Sequence, residues 1–247
     1  MTTTTQHSEA RQGDDAMTDA IAIRGLSKSY GASRAIDGLD LRLPYGQVIG
    51  LLGENGSGKT TLLKVLAGVL AEYEGQVTIA GHAPGPESKA LVSFLPDVSF
   101  LPDGARVSAC IALYGDFFAD FDADRARELI GFFGLDERMR LREMSKGMRE
   151  KVQISLAMAR QARVYLLDEP ISGVDPAARD VLLQGMLRGL SEDSLLLIST
   201  HLIHDLEPIL DGIVMMRHGR VVLAGQVDDL RAEHGASIDQ LFREVYR

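Results

Sequence analysis

The sequence has few of the residues that build cross-linked or membrane-spanning folds. Among its 247 residues it contains one cysteine, Cys110, and no tryptophan. A single cysteine excludes a disulfide framework and a cysteine-based zinc site, and it favours a reducing compartment. The longest apolar runs, such as Ser194–Ile198 and Ile213–Met216, fall far short of the roughly 20 residues that a membrane-spanning helix needs. Residues 1–20 lack the apolar centre of a secretory signal and predict a polar, disordered leader.

Positive charge is also scarce. The chain has 26 lysines and arginines against 35 aspartates and glutamates, and its net charge is −9. Because nucleic-acid phosphates are bound by clustered positive charge, this balance argues against nucleic acid as the main partner. With 45% hydrophobic residues the chain can build a sizeable core, and its length allows one large domain with a small insert. These values predict a soluble, globular, cytoplasmic protein. If it acts at a membrane, another polypeptide must hold it there.

Strand-like and helix-like segments alternate and predict an α/β fold, with a mainly parallel sheet covered by helices on both faces. Short apolar alternation predicts strands over residues 21–24 and 35–43. More continuous apolar runs predict buried strands at Gln47–Leu52, Val164–Leu167 and Leu195–Ser199. Between the two halves of this core, helical periodicity without a convincing strand predicts a helical insert, with helices at Val107–Ala119, Ala123–Phe133 and Met148–Gln161.

The strongest chemical motif is the segment GENGSGKT, which fits G-x-x-x-x-G-K-[ST]. It follows a predicted buried strand and precedes a predicted helix, so its backbone N–H groups and the helix N-terminus can bind phosphate. We expect Lys59 to reach the β- and γ-phosphates of a nucleotide and the Thr60 hydroxyl to ligate Mg²⁺. The alternative is a glycine-rich turn that binds nothing. The expected nucleotide-binding residues are Gly53, Glu54, Asn55, Gly56, Ser57, Gly58, Lys59, Thr60 and Thr61.

A second motif is an apolar strand that ends in two acids, Asp168 and Glu169. It places both carboxylates at the carboxyl edge of the sheet, where α/β folds bind ligands. We expect Asp168 to hold Mg²⁺, directly or through water, and Glu169 to orient and deprotonate the attacking water. Alone, this motif also fits an ordinary strand followed by a charged turn. Together with a phosphate-binding loop, it predicts nucleotide hydrolysis.

Further segments, in the same order along the chain, resemble the motifs of the ATP-binding cassette (ABC) ATPases. The resemblance extends over about residues 21–225. Met144–Met148 resembles the signature of this family, which is usually LSGGQ. Ile171–Asp175 resembles the loop after the catalytic glutamate, His201 resembles the switch histidine, and Tyr30 resembles the aromatic residue that stacks on adenine. The ordered combination is far more specific than any one motif.

The resemblance implies roles for several of these residues. Tyr30 would stack on adenine, and His201 would contact the γ-phosphate and fix the attacking water. Ser145 and Gly147 would bind the nucleotide of a second copy, at the start of a helix. Asp175 would communicate across that dimer. The simpler interpretations are a packed aromatic ring, a structural histidine, a helix cap and a turn residue.

Three positions depart from the family pattern. Lys146 stands where glycine is usual, and Met148 stands where glutamine is usual. Asp97 follows Pro96 at the position where the family normally has glutamine. An aspartate can still ligate magnesium or a water molecule, but it cannot donate an amide hydrogen bond. The changes in the signature and the change at position 97 both resemble those of ATPases that drive exporter-type permeases of the antibiotic-efflux branch.

The resemblance implies a P-loop NTPase core with an antiparallel β subdomain and an inserted helical subdomain. Residues 21–247 would form a single ATPase domain, with its core at 21–95 and 163–230 and the insert at about 96–162. The implied function is a Mg²⁺-dependent ATPase subunit that uses ATP to power a separate integral membrane permease from its cytoplasmic face. It would pair head to tail with a second copy or a homologous partner. The alternatives are a soluble ABC ATPase without a permease, of the iron–sulfur assembly or regulatory type, and a nucleotide switch without turnover.

Overall fold

The computed structural model describes residues 19–246, so most of the expected leader lies outside the described residues. Among the described residues the first strand begins at Asp19, two residues before the expected start of the core at residue 21, and Ala20 is already buried in it. The strands are β1 (Asp19–Tyr30), β2 (Ser33–Pro44), β3 (Val48–Leu52), β4 (Glu74–Ile79), β5 (Val92–Leu95), β6 (Val164–Asp168), β7 (Leu195–Thr200), β8 (Gly212–Arg217) and β9 (Arg220–Gln226). The α-helices are α1 (Lys59–Leu66), α2 (Pro86–Leu91), α3 (Val107–Phe117), α4 (Ala123–Phe132), α5 (Lys146–Met158), α6 (Pro176–Gly189), α7 (Ile203–Leu206), α8 (Val227–His234) and α9 (Ile238–Val245).

The larger sheet confirms the predicted mainly parallel core. Its strand order is β5-β6-β7-β3-β8-β9, and only the β8–β9 pair is antiparallel in this described sheet. Strands β3, β6 and β7 are buried along their whole length, as their continuous apolar sequences predicted. Because these neighbouring strands run in the same direction, their carboxyl ends meet at one edge of the sheet.

The second sheet is antiparallel and has the strand order β2-β1-β4. Its apolar side chains share a core with α1 and with the larger sheet. Strand β2 also passes close to the turn before α1: an ideal Cβ on Gly58 would lie 2.5 Å from the Ala35 carbonyl oxygen. The antiparallel sheet therefore supports the segment that connects β3 to α1.

Helices α3, α4 and α5 form the predicted helical insert and have a small core of their own. Helix α5 also contributes Ile154 and Met158 to the main core, so it belongs to both parts. Arg160, which follows α5, forms hydrogen bonds to both the helical insert and the larger sheet. Its guanidinium donates to the Val92 carbonyl at 2.8 Å and to Asp120 at 2.9 Å. The side chain of Arg160 is buried, so this network links the insert to the edge of the sheet.

Several local features differ from the expectations from sequence. The composition of residues 81–88 predicts a loop, but helix α2 begins within this segment at Pro86. The helix was not predicted because six residues are too few to show a clear apolar periodicity. Apolar spacing over residues 60–70 predicts a helix as far as Leu70, but α1 ends at Leu66, since Gly68 adopts a left-handed backbone that terminates it. Strands β8 and β9 form an antiparallel hairpin, and His218 and Gly219 both have positive φ in its turn. Helix α9 also packs onto the main core, which therefore extends past residue 230.

No helix within residues 19–246 combines the length and the apolar character needed to cross a membrane. This agrees with the short apolar runs in the sequence.

The Arg160 network predicts a large cost for its loss. Arg160→Leu removes a buried cation from Asp120 and from the carbonyls of Val92 and Ala90, and we expect it to lower the free energy of unfolding by about 3 kcal/mol. Urea unfolding followed by circular dichroism measures this change. As a control, Arg127→Leu removes only exposed ion pairs and should stay within about 0.5 kcal/mol of the wild type. Equal effects of the two changes would contradict the prediction.

Candidate nucleotide-binding and hydrolytic site

The predicted phosphate-binding loop connects the end of β3 to the start of α1, which begins at Lys59. Two of its glycines are required by close contacts. An ideal Cβ on Gly53 would lie 2.6 Å from the Met216 carbonyl oxygen, and Gly58 combines a φ of +107° with its close approach to β2. The Ser57 carbonyl accepts a hydrogen bond from Gly219 N at 3.0 Å. The loop is therefore held from both sheets.

Lys59 reaches back across this loop. Its Nζ donates to the Gly53 carbonyl at 2.6 Å and to the Glu54 carbonyl at 3.2 Å. The same Nζ lies 3.8 Å from Glu169 Oε1. Burial lowers the pKa of Lys59, and the carboxylates of Glu169 and Asp168 act in the opposite direction. The loop thus surrounds a buried amine that two carboxylates favour in its charged form.

The two acids at the end of β6 have different environments. Asp168 is 1% exposed, and its Oδ1 accepts a hydrogen bond from Ser199 Oγ at 2.5 Å. Its Oδ2 is buried and has no hydrogen-bond partner among the described residues. Glu169 adopts a φ of +51°, a left-handed conformation that costs about 1–3 kcal/mol in a residue other than glycine. Its Oε2 lies 2.9 Å from His201 Nδ1.

Ser199 positions both acids, although sequence reasoning gave it no role. In addition to its bond to Asp168, its Oγ and its carbonyl oxygen both lie within hydrogen-bond distance of Glu169 N, at 3.0 and 3.1 Å. Ser199 is directly opposite Asp168 in the parallel register of β6 and β7. Ser199 could have been identified from sequence only by inferring the register between β6 and β7.

The structure brings together the expected catalytic residues Lys59, Glu169 and His201, with Asp168 beside them. Thr60 and Thr61 occupy the first turn of α1 and are partly exposed. The expected metal ligand Asp97 is exposed and follows β5. It lines a narrow cleft that Asp168 and Glu169 also line. Unpaired Asp168 Oδ2 and Ser57 Oγ, the ammonium of Lys59 and the loop N–H groups fit a magnesium-bound triphosphate.

Two further expected binding elements are Tyr30 and the start of α5. Tyr30 is 50% exposed at the end of β1, and Lys28 Nζ lies 5.3 Å from the centre of its ring. Ser145 is the N-cap of α5 and accepts a hydrogen bond from Met148 N at 3.2 Å. Among the described residues, no hydrogen bond joins Ser145 or Gly147 to residues 53–60. Their surfaces at the start of α5 remain accessible to another molecule.

Lys146 bends over the loop that follows Glu169. An ideal Cβ on Gly173 would lie 2.2 Å from Lys146 Nζ, and the same Nζ is 3.8 Å from Glu150 Oε1. The residue that departs from the family signature therefore contacts the segment Ile171–Asp175 within the same chain. Glycine at position 173 leaves the space that this lysine occupies.

Comparison with known proteins agrees with this architecture. Residues 36–172, more than half of the chain, match the family model described as ABC transporter. This chain belongs to the ABC transporter family. The resemblance inferred from the ordered motifs is thereby confirmed, and the chain is an ABC ATP-binding subunit of the ATPase type.

Two similar proteins are both named as ATP-binding proteins. The daunorubicin resistance ATP-binding protein DrrA3 of Streptomyces coeruleorubidus is 33% identical over 236 residues, which cover 92% of this chain and 74% of that protein. The Nod factor export ATP-binding protein I of Cupriavidus metallidurans is 28% identical and covers 92% of this chain and 78% of its own length. This ABC protein is therefore similar, over most of its length, to subunits named for resistance and export.

Solved structures share the same fold. A structure described as the ATP-binding subunit of an ABC transporter has a TM-score of 0.82 and 28% identity, and the match covers 92% of this chain and all of that chain. A nucleotide-free ATP-binding cassette has a TM-score of 0.75, with 88% of this chain and 96% of that chain covered. At 20% identity, the second match supports the fold alone.

The close contact at Gly53 gives a testable prediction. Gly53→Ala forces a methyl group against the Met216 carbonyl, which displaces the loop, and we expect it to weaken Mg²⁺–ATP binding roughly tenfold or more. Isothermal titration calorimetry measures this affinity. Gly131→Ala is the control, because a Cβ on this α4 glycine meets nothing within 4 Å. Unchanged affinity in a folded Gly53→Ala variant would show that the loop does not bind phosphate.

Proposed function

We propose that this ABC protein is a Mg²⁺-dependent ATPase subunit that powers a separate membrane permease. The observation that carries the proposal is the arrangement of Lys59, Asp168, Glu169 and His201 at one edge of the parallel sheet. Lys59 Nζ lies 3.8 Å from Glu169, and Glu169 lies 2.9 Å from His201. Such a cluster of one amine, two carboxylates and an imidazole supplies the groups that phosphoryl transfer to water requires.

Each of these residues has a separate role in the proposed ATP hydrolysis. Lys59 has three N–H donors and gives two of them to loop carbonyls, so the third is available to a phosphate oxygen. Glu169 accepts the proton of the attacking water, and His201 fixes the orientation of its carboxylate. Tyr30 stacks on the base through its exposed ring. In this scheme Ser199 holds both acids in place.

Magnesium would be held by the Thr60 hydroxyl, by Asp97 and by Asp168, the last directly or through a water molecule. The unpaired Oδ2 of Asp168 supports this role, since a buried carboxylate oxygen without a donor needs a cation or a water molecule. When bound, the ion neutralises negative charge on the β- and γ-phosphates. Carboxylate and hydroxyl oxygens are the ligands that Mg²⁺ prefers.

A complete site needs two copies in this proposal. One chain carries a phosphate-binding loop and, separately, the Ser145–Gly147 segment at the N-terminus of α5. Head-to-tail pairing with a second copy or a homologous subunit would place ATP between the two segments. ATP then adds charge-assisted contacts to both faces and closes the pair, and loss of the γ-phosphate on hydrolysis lets it open.

The helical insert is the proposed docking surface for the permease on the cytoplasmic side of the membrane. Large apolar side chains are exposed here, among them Val98, Phe100, Leu113 and Phe117, the last at 75% exposure. Exposed apolar groups of this kind favour a protein interface. The names of the relatives, which refer to resistance and export, support transport of the antibiotic-efflux type over a soluble role without a permease.

The assigned general base can be tested by Glu169→Gln. This variant keeps the side-chain shape but loses the basic oxygen, so we expect ATP binding within about threefold of the wild type and a turnover at least about 100-fold lower. With Mg²⁺–ATP the variant should also form a stable dimer, because the closed pair cannot reopen. Light scattering would then measure twice the mass of the monomer.

Two further variants control this experiment. Glu169→Gln/Gly147→Glu places a negative charge where the partner's ATP would lie, and it should bind ATP but stay monomeric. Glu169→Gln/Gly131→Glu carries the same change at an exposed site in α4 and should still dimerise. Persistent turnover in Glu169→Gln rules out this general base, and dimerisation of the Gly147 variant rules out the head-to-tail arrangement.

The transporter assignment can be tested by purification from detergent-solubilised membranes of the source cell. We expect a tagged chain to recover a multi-span membrane protein. Phe117→Glu should lose that partner, because it places a charge on the apolar face of the insert. Val222→Glu, which alters an exposed apolar residue on β9, should keep it. Recovery of soluble partners alone would favour the soluble alternative.

A further inference from the structure

Within residues 19–246, five buried side-chain atoms have no hydrogen-bond partner, and they form two groups. Ser57 Oγ and Asp168 Oδ2 belong to the nucleotide site. The other three lie close together on α5: Arg149 Nε, Glu150 Oε2 and Gln153 Oε1. Because buried polar atoms in folded proteins are nearly always paired, unpaired atoms of this kind indicate a water molecule or a ligand.

Glu150 and Gln153 project into the cleft beside the catalytic carboxylates. They are three residues apart and thus on one face of α5. The facing walls of the cleft are the end of β5, with Asp97, and the end of β6, with Asp168 and Glu169. Gln153 is 6% exposed and Asp168 is 1% exposed. The cleft has a volume of about 20 Å³, enough for a water molecule.

Acceptors outnumber donors in this cleft. Carboxylate oxygens accept hydrogen bonds, and Gln153 Oε1 is a further acceptor without a donor. One water molecule supplies two O–H groups, which can satisfy Gln153 Oε1 and Asp168 Oδ2 at the same time. Asp97 cannot supply an amide, and among the described residues that line the cleft Gln153 is the one with an amide side chain.

We infer that Gln153 is a positioning residue of the hydrolytic site, with its amide oxygen accepting from a water molecule that also donates to Asp168 Oδ2. The inference deepens the proposed ATPase function and rests on it. Gln153 then supplies, from α5, the amide that is absent at position 97. Since Ser145 is the N-cap of α5, the same contact links the signature segment to the carboxylates at the end of β6.

The test is Gln153→Met, which keeps the length of the side chain and removes the amide. Loss of a residue that orients a metal-site water typically costs a factor of 10 to 100. We therefore expect kcat to fall about tenfold or more while KM for ATP stays within about twofold. Midpoint temperatures of unfolding should not fall, because the variant removes an unpaired acceptor.

A readout independent of turnover uses the Glu169→Gln background. A fluorescent ATP analogue is titrated with MgCl₂, and adding Gln153→Met should raise the half-saturating Mg²⁺ concentration about tenfold. The matched control is Ser155→Ala, which changes a buried polar residue of the same helix whose hydroxyl is satisfied by the Lys151 carbonyl. It should leave kcat and the Mg²⁺ dependence unchanged.

The outcomes separate this inference from the proposed function. A folded Gln153→Met variant with wild-type kcat and wild-type Mg²⁺ dependence overturns the inference alone. A parallel loss of thermal stability, ATP affinity and kcat assigns Gln153 to packing and also overturns it. A wild-type protein that binds no Mg²⁺–ATP, or binds it without hydrolysis, overturns the proposed function and this inference with it.

Discussion

Strands β3, β7 and β6 lie side by side and end at the same edge of the parallel sheet, and the proposed chemistry depends on that edge. The phosphate-binding loop leaves β3, His201 follows β7, and Asp168 ends β6. The strands are buried along their whole length, so their ends cannot shift independently of the core. The backbone positions of Lys59, Glu169 and His201 are therefore fixed by the core, as a preorganised catalytic site requires.

Charge is the second constraint at this edge. Asp168 and Glu169 contribute two carboxylates, whereas Lys59 contributes one amine that is largely removed from solvent. A polyphosphate adds further negative charge, so backbone N–H groups and Lys59 alone leave an excess of anions. A divalent cation corrects that imbalance, which is the physical reason to place Mg²⁺ beside Asp168 in the proposed function. The strained backbone of Glu169 holds its carboxylate against both Lys59 and His201.

The departures from the family pattern have structural counterparts within this chain. Lys146 lies over Gly173, so the signature segment and the loop after Glu169 touch directly. Gln153, on the same helix, lines the cleft with Asp97 and Asp168. Helix α5 thus contacts the loop after Glu169 and lines the cleft beside Asp168, and its N-terminal cap at Ser145 is the surface proposed to meet a partner's nucleotide. The same helix therefore connects that surface to the cleft that Asp168 and Glu169 line.

Local sequence was sufficient for much of this description. The loop from Gly53 to Thr60, the buried strands and the Ser145 cap depend on neighbouring residues, on apolar period and on glycine conformations. Short elements such as α2 were missed because six residues carry too little period. The family itself followed from the order of motifs along the chain.

Tertiary structure alone decided how distant elements meet. Ser199 was not recognised because its role depends on the register of two parallel strands, and Gln153 because its role depends on the rotation of α5 about its axis. The contact between Lys146 and Gly173 joins two segments that have no local relation in sequence. Apolar pattern and motif spacing specify which elements form and which groups they carry. Strand order, register and helix rotation decide which of those groups touch, because only packing of the whole core determines them.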